Sequence, residues 1–310
     1  MNALQAAILG LIQGLTEFLP VSSSGHLLLG SFILGLPAPG LSLSVLLHLG
    51  TAFATVVMLW DEIVWLLRGL FLPASGRQRA RALTIVGLLI VASIPGAMVG
   101  LFFGDFLDAI FSSGGVAAVG LILTGFVLRW AGRLSGRHER ASADSRIDGH
   151  STPEGQELRS GPSRRTGRRS RRGHGRGSDE RLLDTVNLRR AVIVGLSQAV
   201  AVIPGISRSG ATMASGLVSG MEREDAARFS FLLALPAIFG GALLDFRQAI
   251  SVGESVVSPL GLLGALVAFA AGIFALSLVF RVVRKGDLSK FAYYCWAAGA
   301  ASLIYLMFRP

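Results

Sequence analysis

Two short polar segments interrupt apolar sequence, and they carry the side chains that chemistry would require. The residues of interest in the first are Gln13, Glu17, Ser22, Ser23, Ser24, Gly25 and His26. Gln13 and Glu17 are four residues apart and therefore share one face of a helix. A carboxylate in an apolar segment is costly, so Glu17 indicates a functional site more strongly than a backbone cap. His26 is a candidate nucleophile, general acid or general base near neutral pH.

The second polar segment has the composition of an anion-binding site. Its residues of interest are Ser207, Arg208, Ser209, Gly210 and Thr212. Arg208 offers a forked cation, and a helix that begins here would direct backbone N–H groups at a bound anion. Arg208 could instead stabilise the C-terminal end of the preceding half-helix. We favour the functional interpretation because arginine is rare within membrane segments.

Neither polar segment is sufficient alone for a reaction. The first provides an acid, hydroxyls and an imidazole, whereas the second provides a cation and an anion cradle. This division suits phosphoryl transfer, in which positioning and charge neutralisation do most of the catalysis. The sequence leaves open whether Ser23 or His26 attacks phosphorus. His48 is interpreted as structural, since it lies near the end of an apolar run.

The rest of the composition predicts an all-α integral membrane protein. Of the 310 residues, 52% are hydrophobic and only 15% are charged, whereas a soluble domain carries about 25% charged residues. The single cysteine, Cys295, excludes a disulfide framework and a cysteine-ligated zinc site. Six runs are long enough to span a bilayer as helices. They are Leu41–Leu67, Leu83–Phe103, Gly114–Trp130, Ala226–Phe246, Pro259–Phe280 and Phe291–Phe308.

The two polar segments lie inside hydrophobic stretches at 4–36 and 191–220, which we predict to be re-entrant helical hairpins. A broken backbone at membrane depth requires burial in protein or a wet cavity. A shift of 185 residues aligns the two stretches, pairing Gly10 with Gly195 and Gln13 with Gln198. Such paired interruptions indicate a site at a repeat interface. With the basic loops in the cytoplasm, the two halves have opposite topology and both termini lie outside.

The predicted organisation is therefore a first repeat at 1–132, a basic loop at 133–188 and a second repeat at 189–310. Between Arg133 and Arg190, a stretch that covers the loop and the first two residues of the second repeat, the chain has 15 arginines and eight acidic residues, a net charge of +7. We predict that it is a disordered cytoplasmic linker. Binding of nucleic acid or anionic lipid is the alternative, and we expect no nucleic-acid partner because basic cytoplasmic loops are common in membrane proteins.

Both polar segments resemble the signatures of a known family. The runs Gln13–His26 and Pro204–Thr212 are similar to the two motifs of the undecaprenyl-diphosphate phosphatase family of the bacitracin-resistance type. The runs Leu47–Thr51 and Ala226–Pro236 also resemble family sequence. The family pattern allows Glu or Gln at the first acidic position, which is Gln13 here, so Glu17 carries more of the acidic role.

The resemblance implies removal of the terminal phosphate of undecaprenyl diphosphate, which recycles the lipid carrier of peptidoglycan synthesis. It also implies a bacterial cytoplasmic membrane location, a site facing the periplasmic side and a divalent cation, Mg²⁺ or Ca²⁺. We expect Glu17, with Gln13 and substrate oxygens, to hold that ion. A flippase for the lipid carrier is the alternative, because interrupted helices and inverted repeats are typical of transporters. Oligomeric state, a homodimer included, is left open.

Overall fold

The computed structural model of the protein is built from helices. It describes residues 1–104, 107, 110, 113–148, 183–251, 257–285 and 288–308, with only the backbone for 135–148 and 245. Within these residues there are eleven helices and no strands. The helices are α1 Ala3–Phe18, α2 Ser23–Ile33, α3 Leu41–Met58, α4 Trp60–Phe71, α5 Gly76–Phe102, α6 Gly114–Asp148, α7 Leu188–Val200, α8 Arg208–Val218, α9 Arg223–Ser251, α10 Pro259–Lys285 and α11 Lys290–Met307.

Five of the described helices are long and apolar enough to cross a membrane, namely α3, α5, α6, α9 and α10. The all-helical prediction and the multi-pass prediction are confirmed at this level. The sixth predicted span corresponds to α11, which is not among the five. Its Lys290 and its three tyrosines, Tyr293, Tyr294 and Tyr305, lower its hydropathy.

Two predicted segments are divided differently in the structure. The run Leu41–Leu67 is not one helix, because α3 ends at Met58 and α4 begins at Trp60. Asp61 and Glu62 lie in the first turn of α4, where carboxylates interact favourably with the helix dipole. Helix α6 continues to Asp148, so the first part of the basic loop is helical. Residues 149–182 of that loop lie outside the described residues, and the description resumes at Leu183.

The two halves of the chain pack against each other through two equivalent pairs of helices. Helix α1 packs on α10, and a Cβ at Gly10 would lie 2.2 Å from the carbonyl oxygen of Gly264. Helix α7 packs on α5, where a Cβ at Gly195 would lie 2.6 Å from the carbonyl oxygen of Ala92. Gly10 and Gly195 are the pair that the 185-residue shift relates. Glycine thus allows the close backbone approach on which both interfaces depend.

Candidate active site

Both polar segments are breaks between two short helices. The first break separates α1 from α2, and the second separates α7 from α8. Ser22 caps α2 by accepting a hydrogen bond from the backbone N–H of Gly25 at 3.5 Å, and Ser207 caps α8 through the N–H of Gly210 at 3.0 Å. A side-chain oxygen at this position satisfies a backbone donor that the helix leaves free. The serine and glycine in each segment therefore start a helix at the same point of both repeats.

The two breaks touch each other. A Cβ at Gly25 would lie 3.6 Å from the Cα of Gly205, and one at Gly210 would lie 3.2 Å from the Cβ of Pro20. The hydroxyl of Ser209 also donates to the carbonyl oxygen of Leu19 at 3.2 Å. The structure therefore joins two polar segments that are far apart in sequence.

Helix α6 holds the second break in place. Thr124 is buried, and its hydroxyl accepts a hydrogen bond from the backbone N–H of Ser207 at 2.9 Å. The same oxygen lies 3.2 Å from the carbonyl of Gly205 and 3.0 Å from that of Gly120. Sequence reasoning missed Thr124, whose only signal is a hydroxyl in the middle of an apolar span.

Glu17 is the centre of the polar cluster. Its carboxylate forms an ion pair with Arg208 and accepts hydrogen bonds from Gln13 Nε2 at 3.0 Å and from Ser23 Oγ at 2.6 Å. The side chain of Glu17 is 5% exposed and that of Arg208 is 22% exposed, so the guanidinium side chain remains partly accessible at the protein surface. Arg208 also donates to the backbone carbonyl of Ala234 in α9 at 3.3 Å. Four of the predicted site residues thus form one cluster.

His26 has different partners from Ser23. Its Nδ1 lies 2.8 Å from the carbonyl oxygen of Ser22, and its Nε2 lies 2.8 Å from the hydroxyl of Tyr294 in α11. Ser23 instead donates to Glu17. The serine and the histidine of the first segment are therefore not arranged as a hydrogen-bonded nucleophile and base.

The remaining predicted residues support the two breaks. Ser24 lies 3.3 Å from Ser22, and Ser209 lies 3.2 Å from Ser207, oxygen to oxygen. Thr212 donates to the carbonyl of Arg208 at 2.8 Å, and its hydroxyl oxygen also accepts from the hydroxyl of Ser230 in α9. These contacts stiffen the segments around Arg208 and Ser23.

His48 is held within its own helix. Its Nδ1 lies 2.8 Å from the carbonyl oxygen of Ser44 in α3.

The cluster contains oxygen ligands that suit a hard divalent cation. Gln13 Oε1 is buried and has no hydrogen-bond partner, although its Nε2 is engaged. Within the described residues no group of three or more His, Cys, Asp or Glu could hold a metal ion. Mg²⁺ is commonly bound by one or two carboxylates together with substrate phosphates and water. Glu17 and Gln13 fit that type of site.

The comparison with known proteins agrees with the motifs. Residues 6–301 match the family described as bacitracin resistance protein BacA. The chain belongs to this family. The resemblance seen in the two motifs is therefore confirmed over almost the whole chain.

Relatives of similar length carry one common name. The chain is 39% identical to an undecaprenyl-diphosphatase of Moorella thermoacetica, covering 95% of this chain and 94% of that protein. It is 37% identical to the one from Desulforapulum autotrophicum, covering 98% of each. The identity is also 37% to the one from Bacteroides thetaiotaomicron, covering 98% of this chain and 99% of that protein. The BacA family match, at residues 6–301, thus covers almost the whole chain and both breaks.

Proposed function

We propose that this BacA-family protein is an undecaprenyl-diphosphate phosphatase, a hydrolase that releases the terminal phosphate and leaves undecaprenyl phosphate. The observation that carries the proposal is the ion pair between Glu17 and Arg208, because it unites the acidic and the cationic segments at touching breaks. The full-length relatives named undecaprenyl-diphosphatase support the same activity.

The cationic segment binds the substrate in this proposal. Arg208 exchanges its bond to Glu17 for a bidentate bond to the terminal phosphate. The N-terminus of α8 adds its backbone N–H groups and the positive end of its dipole. Mg²⁺ or Ca²⁺, held by Glu17 and Gln13, would supply further charge neutralisation for the diphosphate.

Ser23 is the better placed nucleophile, since its hydroxyl already donates to Glu17. Ser23 Oγ forms a bond to the terminal phosphorus while its proton passes to Glu17. The bond from that phosphorus to the bridging oxygen breaks, and undecaprenyl phosphate leaves with the electron pair. Water then attacks the phosphoserine and gives a proton to Nε2 of His26, while Ser23 recovers its proton from Glu17.

We further propose six membrane spans, with α11 as the sixth, and two re-entrant hairpins in inverted repeats. Helix α1 of the first half packs on α10 of the second, and α7 of the second half packs on α5 of the first, which supports the repeat. Thr124 binds the second break ten residues after the start of α6, about 15 Å along its axis. That is about half of a 30 Å hydrocarbon core, which supports a position of the breaks near the bilayer midplane. The site opens towards the periplasmic side of the bacterial cytoplasmic membrane.

Phosphate release by the purified protein in detergent micelles tests the function. We expect release of inorganic phosphate from undecaprenyl diphosphate, with formation of the monophosphate. A flippase would give no product, because micelles have no two sides between which to move lipid. Lipid movement in vesicles without hydrolysis in micelles would therefore replace the proposed function with transport.

A further inference from the structure

Tyr294 touches the candidate site from a helix that neither polar segment includes. It lies in α11, and its hydroxyl is 2.8 Å from Nε2 of His26. The two rings are nearly parallel, with an interplanar angle of 11° and centroids 5.6 Å apart. The pairing thus brings a third part of the chain to the histidine.

The two partners of His26 specify one tautomer. The carbonyl of Ser22 can only accept, so Nδ1 carries the hydrogen. In the neutral ring Nε2 then has the lone pair, and the hydroxyl of Tyr294 donates to it. Both bonds lie at ring nitrogens and together fix the plane of the imidazole.

The backbone of α11 is fixed against the first break beside Tyr294. Cys295 is fully buried, and its thiol donates to the carbonyl of Pro20 at 3.5 Å. Cys295 also packs in a cluster with Val21 and Leu128. The side chain of Tyr294 itself remains exposed, with 49% relative exposure for the residue. The tyrosine is therefore anchored through its backbone while its ring keeps room to move.

We propose that Tyr294 is a positioning residue for His26, acting in the hydrolysis described above. Its hydroxyl fixes the imidazole plane so that the Nε2 lone pair is directed towards the site before substrate enters. The exposed ring then turns aside, and Nε2, still held in that plane by the Nδ1 bond to Ser22, accepts the proton from the attacking water. This inference rests on the proposed phosphatase activity, but the contact with His26 is measurable without it.

Tyr294→Phe removes the hydroxyl and keeps the ring. We expect kcat to fall about 3- to 10-fold, the size that loss of one neutral hydrogen bond produces, with KM within about twofold. Tyr293→Phe is the matched control, because the adjacent Tyr293 is exposed and contacts Trp296 and Arg129 with its ring. We expect kinetics of the wild-type protein for this control.

Carbethoxylation by diethyl pyrocarbonate reports on the contact directly. In Tyr294→Phe we expect His26 to be modified about 3- to 10-fold faster than in the wild-type protein, measured by peptide mass spectrometry. The modification rate of His48 should stay the same in both proteins. This readout needs no turnover, so an inactive wild-type protein would refute the phosphatase proposal and leave the test of Tyr294 intact.

Each other outcome overturns the positioning role. A wild-type kcat shows that Tyr294 does not orient His26, even if modification is faster. A lower kcat with unchanged modification of His26 assigns the loss to packing of α11. Equal effects of Tyr293→Phe and Tyr294→Phe would likewise exclude a specific role for the hydroxyl of Tyr294.

Discussion

Glu17 and Arg208 are 191 positions apart in sequence and form an ion pair at the contact between the two helix breaks. Both side chains are largely buried, and each charge is neutralised mainly by the other. Removal of one partner of such a pair leaves an uncompensated charge, which typically costs about 3–5 kcal/mol. The pair therefore links binding chemistry to the stability of the fold.

We expect Arg208→Ala to lower kcat at least about 100-fold, because the terminal phosphate loses its forked donor. Arg208→Lys should recover only part of the activity, since a point charge cannot replace the fork. Phosphate release in micelles measures both variants. A wild-type rate for Arg208→Ala would remove the proposed anion site.

Stability must be separated from catalysis in that experiment. Arg208→Ala leaves Glu17 without its cation, so its melting temperature should fall. The double variant Glu17→Gln/Arg208→Ala removes both charges and should melt above Arg208→Ala while remaining inactive. If the double variant regained activity, the loss in Arg208→Ala would have come from instability alone.

Ser23 should become phosphorylated during turnover. Rapid acid quench with substrate labelled in the terminal phosphate should give an acid-stable phosphopeptide that contains residue 23, because Ser23 donates to the carboxylate that can accept its proton. Ser23→Ala should abolish the label. An acid-labile phosphoryl group on His26 would reverse the roles of the two residues.

Thr124 should support activity without contacting substrate. Thr124→Val keeps the side-chain volume but leaves the buried N–H of Ser207 without an acceptor, a cost of about 1–3 kcal/mol. We expect a lower melting temperature and a lower kcat. The control is Thr84→Val, because the exposed hydroxyl of Thr84 donates to the carbonyl of Ala80 within its own helix. Equal melting temperatures for the two variants would contradict the support role.

Position 205 should not tolerate a residue larger than glycine. Its φ is +85°, and a Cβ would lie 2.1 Å from the carbonyl oxygen of Ala117 in α6. Gly205→Ala should destabilise the protein by more than about 1 kcal/mol, since both the conformation and the contact oppose it. Gly87→Ala is the control, because open space surrounds that position in α5. Thermal unfolding in detergent distinguishes them, and an unchanged Gly205→Ala protein would refute the close contact.

The helical membrane class, the two polar segments and the acid and cation within them could all be predicted from the sequence. These features are local, because apolar length, helix-starting serines and the cost of a buried charge are all visible in short windows. The 185-residue shift also identified Gly10 and Gly195 before their equivalent contacts were seen. Membership in the BacA family followed from the same motifs.

Which side chains meet could be learned only from the packed helices. Ser23 pairs with Glu17 rather than His26, and Thr124 and Tyr294 join the site from helices without any motif. The break at Leu59 likewise escaped the hydropathy pattern. Hydropathy reports the average environment of a segment, whereas a hydrogen bond depends on the rotation and depth of packed helices. Those are set by long-range contacts such as Gly10 on Gly264, which no local pattern encodes.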